Sequence, residues 1–338
     1  MTTAERPIVP LEEAADESRG GRLGRTVFAA APIFLVLAIL LVAIGLVNPR
    51  GFDVGYYLAL LKRAAPLMVL ATGQLFVIVA GEYDLSVGSI VTVVVVAGAV
   101  LTAGDPNLTY LVLGGLLLFG IVVGLANGVI TTKLGVPSFL TTLGMLLILN
   151  GGVAVWTGGA PRGSLPENLR VFGREGFEGV PIIGELPYSV LILLVVGVIG
   201  WLLLHRSNFG KQLVAVGGNP RAAAFAGVRV DEVRIAAFVI CGISAILAGV
   251  LLAGFGGLSN QAGEGYEFQA ISAVVLGGAV LGGGRGSVPA TLAGALALEA
   301  LFTLLNFLGL PVELRFAVQG LIIIAAVGYA SLRLRASR

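Results

Sequence analysis

Glu82 and Asp84 are the residues best placed to do chemistry. They lie in Gly81-Glu-Tyr-Asp-Leu-Ser-Val-Gly-Ser89, between two apolar runs. Neither Ala64–Ala80 before them nor Leu85–Gly104 after them carries a charge. One Asp at the centre of a bilayer costs about 2.5–3.5 kcal/mol on insertion scales. Two such acids must sit near a membrane surface or in a polar cavity among helices. Asp84 and Ser86 can also cap a helix starting at Leu85, since a side-chain oxygen can accept from a free backbone N–H. Two readings stand side by side: a capped turn between membrane helices, and part of a polar path through a transporter.

The elements that must position these acids are membrane helices. The chain has 338 residues, is 57% hydrophobic and only 12% charged, and contains 50 glycines. Its apolar runs have about the length a helix needs to cross a bilayer. A soluble domain of this size does not have that composition. The single Cys241 excludes an internal disulfide and a paired-cysteine metal site, and is expected to serve packing. The single His205, beside Arg206, has no second His or Cys to complete a metal site and is read as interfacial.

Ten segments follow along the chain. Residues 1–26 are read as a tail. Val27–Val47 is a first span, too long for a signal-peptide core. Asn48–Arg63 is a connection with an amphipathic piece. Further spans are expected at Ala64–Ala80, Leu85–Ala103, Leu108–Thr131, Phe139–Val155, Tyr188–Leu204, Ile235–Phe255, Ala270–Gly284, Val288–Leu308 and Phe316–Leu332. Residues 158–187 form the longest outside loop, 205–234 a basic inside loop and 333–338 a short tail. With the N-terminus inside, fourteen of the 21 Lys and Arg fall inside. The other seven are Arg50, Lys62, Arg63, Arg162, Arg170, Arg174 and Arg315. The positive-inside rule then places both termini in the cytoplasm. That count requires Ala270–Gly284 to cross. At fifteen residues with five glycines it is short, and is read either as a broken helix or as a tilted packing helix.

Gly120, Gly124 and Gly128 recur every fourth residue, as does Gly278 with Gly282, which suits close helix packing in lipid. No Gly-x4-Gly-Lys-[Ser/Thr] phosphate loop occurs, so any ATP must be bound by another polypeptide. Leu134-Gly-Val-Pro137 and Leu308-Gly-Leu-Pro311 each precede an apolar span, and Gly81-Glu-Tyr83 and Gly265-Tyr-Glu267 are both expected to open helices. These weak echoes allow two inverted halves of five spans each. The fold class is therefore all-α and polytopic, with about ten transmembrane helices.

Three passages carry a resemblance. Asp84-Leu-Ser-Val-Gly-Ser89, Gly217-Gly-Asn-Pro-Arg-Ala-Ala-Ala-Phe-Ala-Gly227 and Gly265-Tyr-Glu-Phe-Gln-Ala-Ile-Ser-Ala-Val-Val-Leu-Gly-Gly278 resemble the membrane permease subunits of ribose-type ABC importers for monosaccharides. Glu82-Tyr83 stands where that family usually has Gly-Ile, Gln269 where an acid is usual, and Arg221 where an acid is common. The resemblance implies a permease without enzymatic activity or cofactor, in a bacterial cytoplasmic membrane. It implies three partners: a cytoplasmic ATP-binding subunit, an extracytoplasmic sugar-binding protein, and a second permease subunit, identical or paralogous. Membrane lipid surrounds it, and nothing points to nucleic acid.

The residues themselves support a docking contact in 205–234. Asn219 caps a short helix with Pro220 at its first position and Gly227 at its end. The expected docking residues are Gly218, Asn219, Arg221, Ala222, Ala223, Phe225 and Gly227. The expected pathway residues are Gln74, Asp84, Ser86, Asn127, Tyr266, Glu267 and Glu299. The competing reading is a proton- or ion-coupled secondary transporter with Glu82, Asp84 and Glu299 as a relay. No HExxH or Ser/His signature supports an enzyme.

Overall fold

The computed structural model describes residues 32–50, 52–181 and 183–311, with isolated positions between 314 and 324. The tails 1–26 and 333–338 lie outside the described residues, as does the Phe316–Leu332 span apart from those isolated positions. The described chain is a bundle of apolar helices with one two-stranded hairpin. In order they are α1 (Pro32–Val47), α2 (Val54–Val79), α3 (Val87–Thr102), α4 (Thr109–Lys133), α5 (Ser138–Thr157), α6 (Glu167–Arg174), β1 (Gly176–Val180), β2 (Gly184–Pro187), α7 (Tyr188–Trp201), α8 (Asn208–Gly218), α9 (Pro220–Phe225), α10 (Val230–Gly256), α11 (Tyr266–Leu276) and α12 (Val288–Phe307). Leu202–Arg206 prolongs α7 as a π-helical turn. Six of these helices, the extended α7 among them, are long and apolar enough to cross a membrane, and three shorter apolar ones accompany them.

Helix α2 is the central post. Its 26 residues span about 39 Å at 1.5 Å per residue, and every residue from Ala64 to Val79 is buried. It starts at Val54, ten residues before the expected span. Asp53 caps it, accepting from Gly55 N at 3.1 Å. Lys62 and Arg63 lie within it because each has an acid in reach: Glu185 at 3.7 Å and Glu299 at 3.8 Å. Lys62 also donates to the Arg174 carbonyl. Residues 158–187, expected as a loop, contain α6 and the hairpin, and α10 begins five residues before its expected span.

The two ends of the bundle are distinct. At one end Asn260 Nδ2 donates to Thr157 Oγ1 (2.9 Å) and Thr109 Oγ1 donates to Asn168 Oδ1 (2.6 Å), close to α6 and the hairpin. At the other end Lys133 pairs with Asp231 (2.6 Å) and Gly284 N donates to Val79 O (2.9 Å), close to α8 and α9. Helix α2 runs toward the second end and α10 runs away from it. A long buried helix, a break and a short helix thus recur as α2–α3 and α10–α11 in opposite directions, the arrangement inverted halves require.

The glycine spacing in α4 does what lipid packing asks of it. A Cβ at Gly124 would stand 2.6 Å from Phe238 O, and one at Gly128 would stand 2.8 Å from Ile235 Cα, both on α10. Gly120 faces Gly242 and Ile246 on the same helix. Gly278 and Gly282 do not repeat this role. Both lie past the end of α11, Gly278 has φ of +80°, and nothing stands within 4 Å of a Cβ at Gly282. The Ala270–Gly284 segment is therefore helical only to Leu276. Its 11-residue helix covers about 16 Å, roughly half a bilayer core. The connector 257–265 leaves α10 at the hairpin end, and Gly263 N donates to Thr92 Oγ1 of α3 at 3.0 Å.

Candidate functional site

The dipping connector opens a polar cavity of about 600 Å³ between α3, α5 and α11. Ser89 and Thr92 of α3, Asn150 of α5, Ser259, Asn260, Gln261 and Glu264 of the connector and Glu267 of α11 contribute its polar lining. A Cβ at Gly88 would overlap Glu267 Oε2 and stand 2.6 Å from Gly263 O, so glycine there is what lets the connector lie against α3. Among the lining residues are two carboxylates, three amides and three hydroxyls, and no Lys, Arg or His. Such groups can exchange hydrogen bonds with a neutral, hydroxyl-bearing solute, and they disfavour an anion.

Directly behind the α3 wall lies a closed polar cluster. Ser89 Oγ donates to Ser86 O at 2.7 Å, joining cavity and cluster. Asp84 Oδ1 accepts from Ser86 N (2.9 Å) and Ser86 Oγ (2.6 Å), and Asn127 Nδ2 donates to Ser86 Oγ (2.9 Å). Cys241 Sγ donates to Gln74 Oε1 at 3.4 Å. Gln74, Asp84, Ser86 and Asn127 are all 0% exposed. The helix-capping expectation needs correction here. Helix α3 starts at Val87, and Asp84 closes the turn before it; Ser86 spends its hydroxyl on Asp84 and Asn127 instead of the helix end. Tyr83 N donates to Ser138 Oγ (3.1 Å) and Leu85 N to Thr142 Oγ1 (3.0 Å), so α5 pairs two backbone N–H groups of this break, while Asp84 Oδ2, Asn127 Oδ1 and Gln74 Nε2 are buried without a hydrogen-bond partner.

The expected pathway residues therefore fall into separate places. Asp84, Ser86 and Asn127 are joined, and Gln74 is held by α10. Glu267 lines the cavity. Tyr266 opens α11 against the core. Glu299 is on α12 with Arg63, at the α2–α12 face. Glu82 is paired with Arg234 at 3.2 Å. Glu82 and Glu299 are thus tied to different arginines on different helices, which is no continuous relay. Sequence reasoning missed Ser89, Thr92, Asn150, Ser259, Asn260, Gln261 and Glu264. The available signals were Ser86, Ser89 and Thr92 at helical spacing on one face, and an amide beside Gly151 in an apolar run.

Helix α9 forms as expected. Asn219 Oδ1 accepts from Ala222 N at 3.0 Å, Pro220 occupies the first turn, and Gly227 leaves it with φ of +83°. Phe225 is 94% exposed, and Gly218, Arg221, Ala222 and Gly227 are exposed beside it. Ala223 points the other way: at 5% exposure it packs into the main core and anchors the helix. It does not belong to the outward surface, and Ala223→Glu would disturb the seating of α9 itself.

Residues 56–327 match the family model described as Branched-chain amino acid transport system / permease component. The ribose import permease protein RbsC of Bacillus subtilis (strain 168) is 36% identical over 299 residues, covering 87% of this chain and 90% of that protein. Its namesake in Escherichia coli (strain K12) is 34% identical, covering 87% and 91%. The autoinducer 2 import system permease protein LsrC of Salmonella typhi is 34% identical, covering 88% and 84%. No solved structure matches the chain. Six helices long and apolar enough to cross a membrane and a family match across most of the chain lead to one conclusion: this is a multi-pass membrane protein that belongs to the permease-component family of branched-chain amino acid transport systems.

Proposed function

We propose that the chain is the membrane subunit of an ATP-driven importer in a bacterial inner membrane, and that it passes a monosaccharide or a similar neutral, hydroxyl-bearing solute delivered by an extracytoplasmic binding protein. The observation that carries this reading is the cavity lined by carboxylates, amides and hydroxyls, in a chain similar over most of its length to ribose import permeases. The cavity opens beside α5, whose Gly144, Gly151 and Gly152 have nothing within 4 Å of an added Cβ. Small residues left open in this way suit a second permease subunit at close approach. The 14-to-7 charge asymmetry supports a cytoplasmic location for both termini and for α8–α9.

Orientation has a direct test. Arg229→Cys in a Cys241→Ala background is expected to resist an impermeant thiol reagent in intact cells and to react after permeabilisation. Efficient labelling of intact cells would reverse the topology.

The ATP-binding partner is expected to seat on α9, with Phe225 as anchor. An exposed aromatic side chain with no partner of its own is a common centre of binding energy, worth about 2 kcal/mol or more. Phe225→Asp should leave folding intact, lower co-purification of the ATP-binding subunit about 30-fold, and abolish ATP-dependent uptake of labelled ribose into proteoliposomes holding binding protein. Uptake driven by an ion gradient without ATP would favour the secondary-transporter reading instead.

A further inference from the structure

The docking helix is gripped on both sides by the α2–α3 break. Before α9, Gly217 of α8 lies against the backbone of Val79 and Gly284, and a Cβ on it would overlap both. After α9, Arg234 in the first turns of α10 reaches back to Glu82, Nη1 to Oε1 at 3.2 Å. The side chains are only 23% and 12% exposed. The same break holds the second interrupted region. Tyr83 Oη donates to Leu281 O at 2.9 Å, and Gly284 N donates to Val79 O at 2.9 Å. Gly81 and Gly283, at φ of +84° and +88°, bring these backbones into contact. Three residues on from Gly81 is Asp84, whose turn leads into the cavity wall at Ser89.

Glu82 and Tyr83 both carry a long side chain with a polar end. Each of those ends has found a partner on another segment. A displacement of α9 therefore has two routes to the break: backbone contact through Gly217, and the charge pair through Arg234. A partly buried pair of this kind holds its register better than an exposed one, because fewer waters compete for it.

We infer that the Glu82–Arg234 pair is a tether that delivers movement of the docking helix to the helix break at 80–86, which makes Glu82 a positioning residue for translocation. The inference rests on the reading of α9 as the ATPase-binding element.

The test uses the full complex in proteoliposomes, with three readouts: co-purification of the ATP-binding subunit, ATP hydrolysis, and solute moved per ATP. Glu82→Arg and Arg234→Glu are expected to keep the subunit and its hydrolysis, while solute moved per ATP falls about tenfold, within the usual range for coupling between sites. The double exchange, Glu82→Arg with Arg234→Glu, should recover most of the loss. Recovery in the double exchange shows that the two charges act as a pair, while retained assembly and hydrolysis beside lowered transport per ATP separate a tether from a role in stability alone. Wild-type transport per ATP in both single variants would overturn the tether, as would a double exchange no better than the singles. Loss of the ATP-binding subunit from Glu82→Arg would also overturn it, by making Glu82 part of the docking contact. An unaltered complex in Phe225→Asp overturns the docking reading instead. Should the charge reversals not purify as a monodisperse complex, Glu82→Ala decides, since unchanged transport per ATP in that variant removes the tether.

Discussion

Asp84→Ala is expected to lower uptake about tenfold or more, while Asp84→Asn keeps most of it. Asp84 Oδ1 accepts two hydrogen bonds from Ser86, at 2.9 and 2.6 Å, with no exposed surface. Asparagine still offers a carbonyl oxygen at that place. Alanine offers none, and it leaves a buried backbone N–H unpaired, a penalty of about 1–3 kcal/mol. Ser86 then loses the acceptor for its hydroxyl, and Asn127 loses a partner fixed in place. Each 1.4 kcal/mol is a factor of about ten in the population of the correctly formed break. Uptake per folded molecule, with folded protein measured by size-exclusion chromatography, separates the outcomes. Equal loss in both variants would make the negative charge itself the working feature. Wild-type uptake in both would reduce Asp84 to a filler of its turn.

The periodic parts of the molecule were legible in the sequence because their causes are local. Gly120, Gly124 and Gly128 repeat at the spacing of one helix face, and that face meets α10. Asn219, Pro220 and Gly227 mark the two ends of α9 by capping chemistry alone. What was not legible depends on partners far along the chain. Lys62 and Arg63 look like the edge of a span until Glu185 and Glu299 arrive beside them from positions more than a hundred residues away. Ser86 reads as a helix cap until Asn127 and Asp84 claim its hydroxyl. The face of α9 is undetermined because six residues make less than two turns, too few for a hydrophobic period to point. Ala223 and Ala222 are indistinguishable in sequence, yet only one is buried. The cavity is the least legible feature, since it exists only because the 257–265 connector descends against α3, a contact between segments 171 residues apart.

Gly277→Leu combined with Gly278→Leu is expected to abolish uptake and to reduce the amount of folded protein, whereas Gly282→Leu stays close to wild type. The contrast separates glycines that are needed from one that is not. A Cβ at Gly277 would stand 2.7 Å from Ala290 O and 2.7 Å from Thr291 N, backbone atoms of α12 that have no free torsion with which to yield. Overpacking of that kind costs about 1–3 kcal/mol even for a small group, and leucine adds three more carbons. Gly278 has φ of +80°, where an L-residue is strained by about 1–2 kcal/mol. The two penalties fall on adjacent residues at the point where α11 ends and the chain turns toward Val79 and Gly217. Displacing that turn would also move Leu281, which accepts from Tyr83. Gly282 has ordinary φ and open space around it, so its leucine has somewhere to go. The measurements are uptake in proteoliposomes and the melting temperature of the purified complex, which for the double variant should fall by several degrees or be lost. Full uptake in the double variant would mean that α11 can continue through 277 and 278, and that the break is not required for transport. Loss of uptake in Gly282→Leu alone, with normal melting, would place the solute route against Gly282 rather than in the cavity bounded by Glu267.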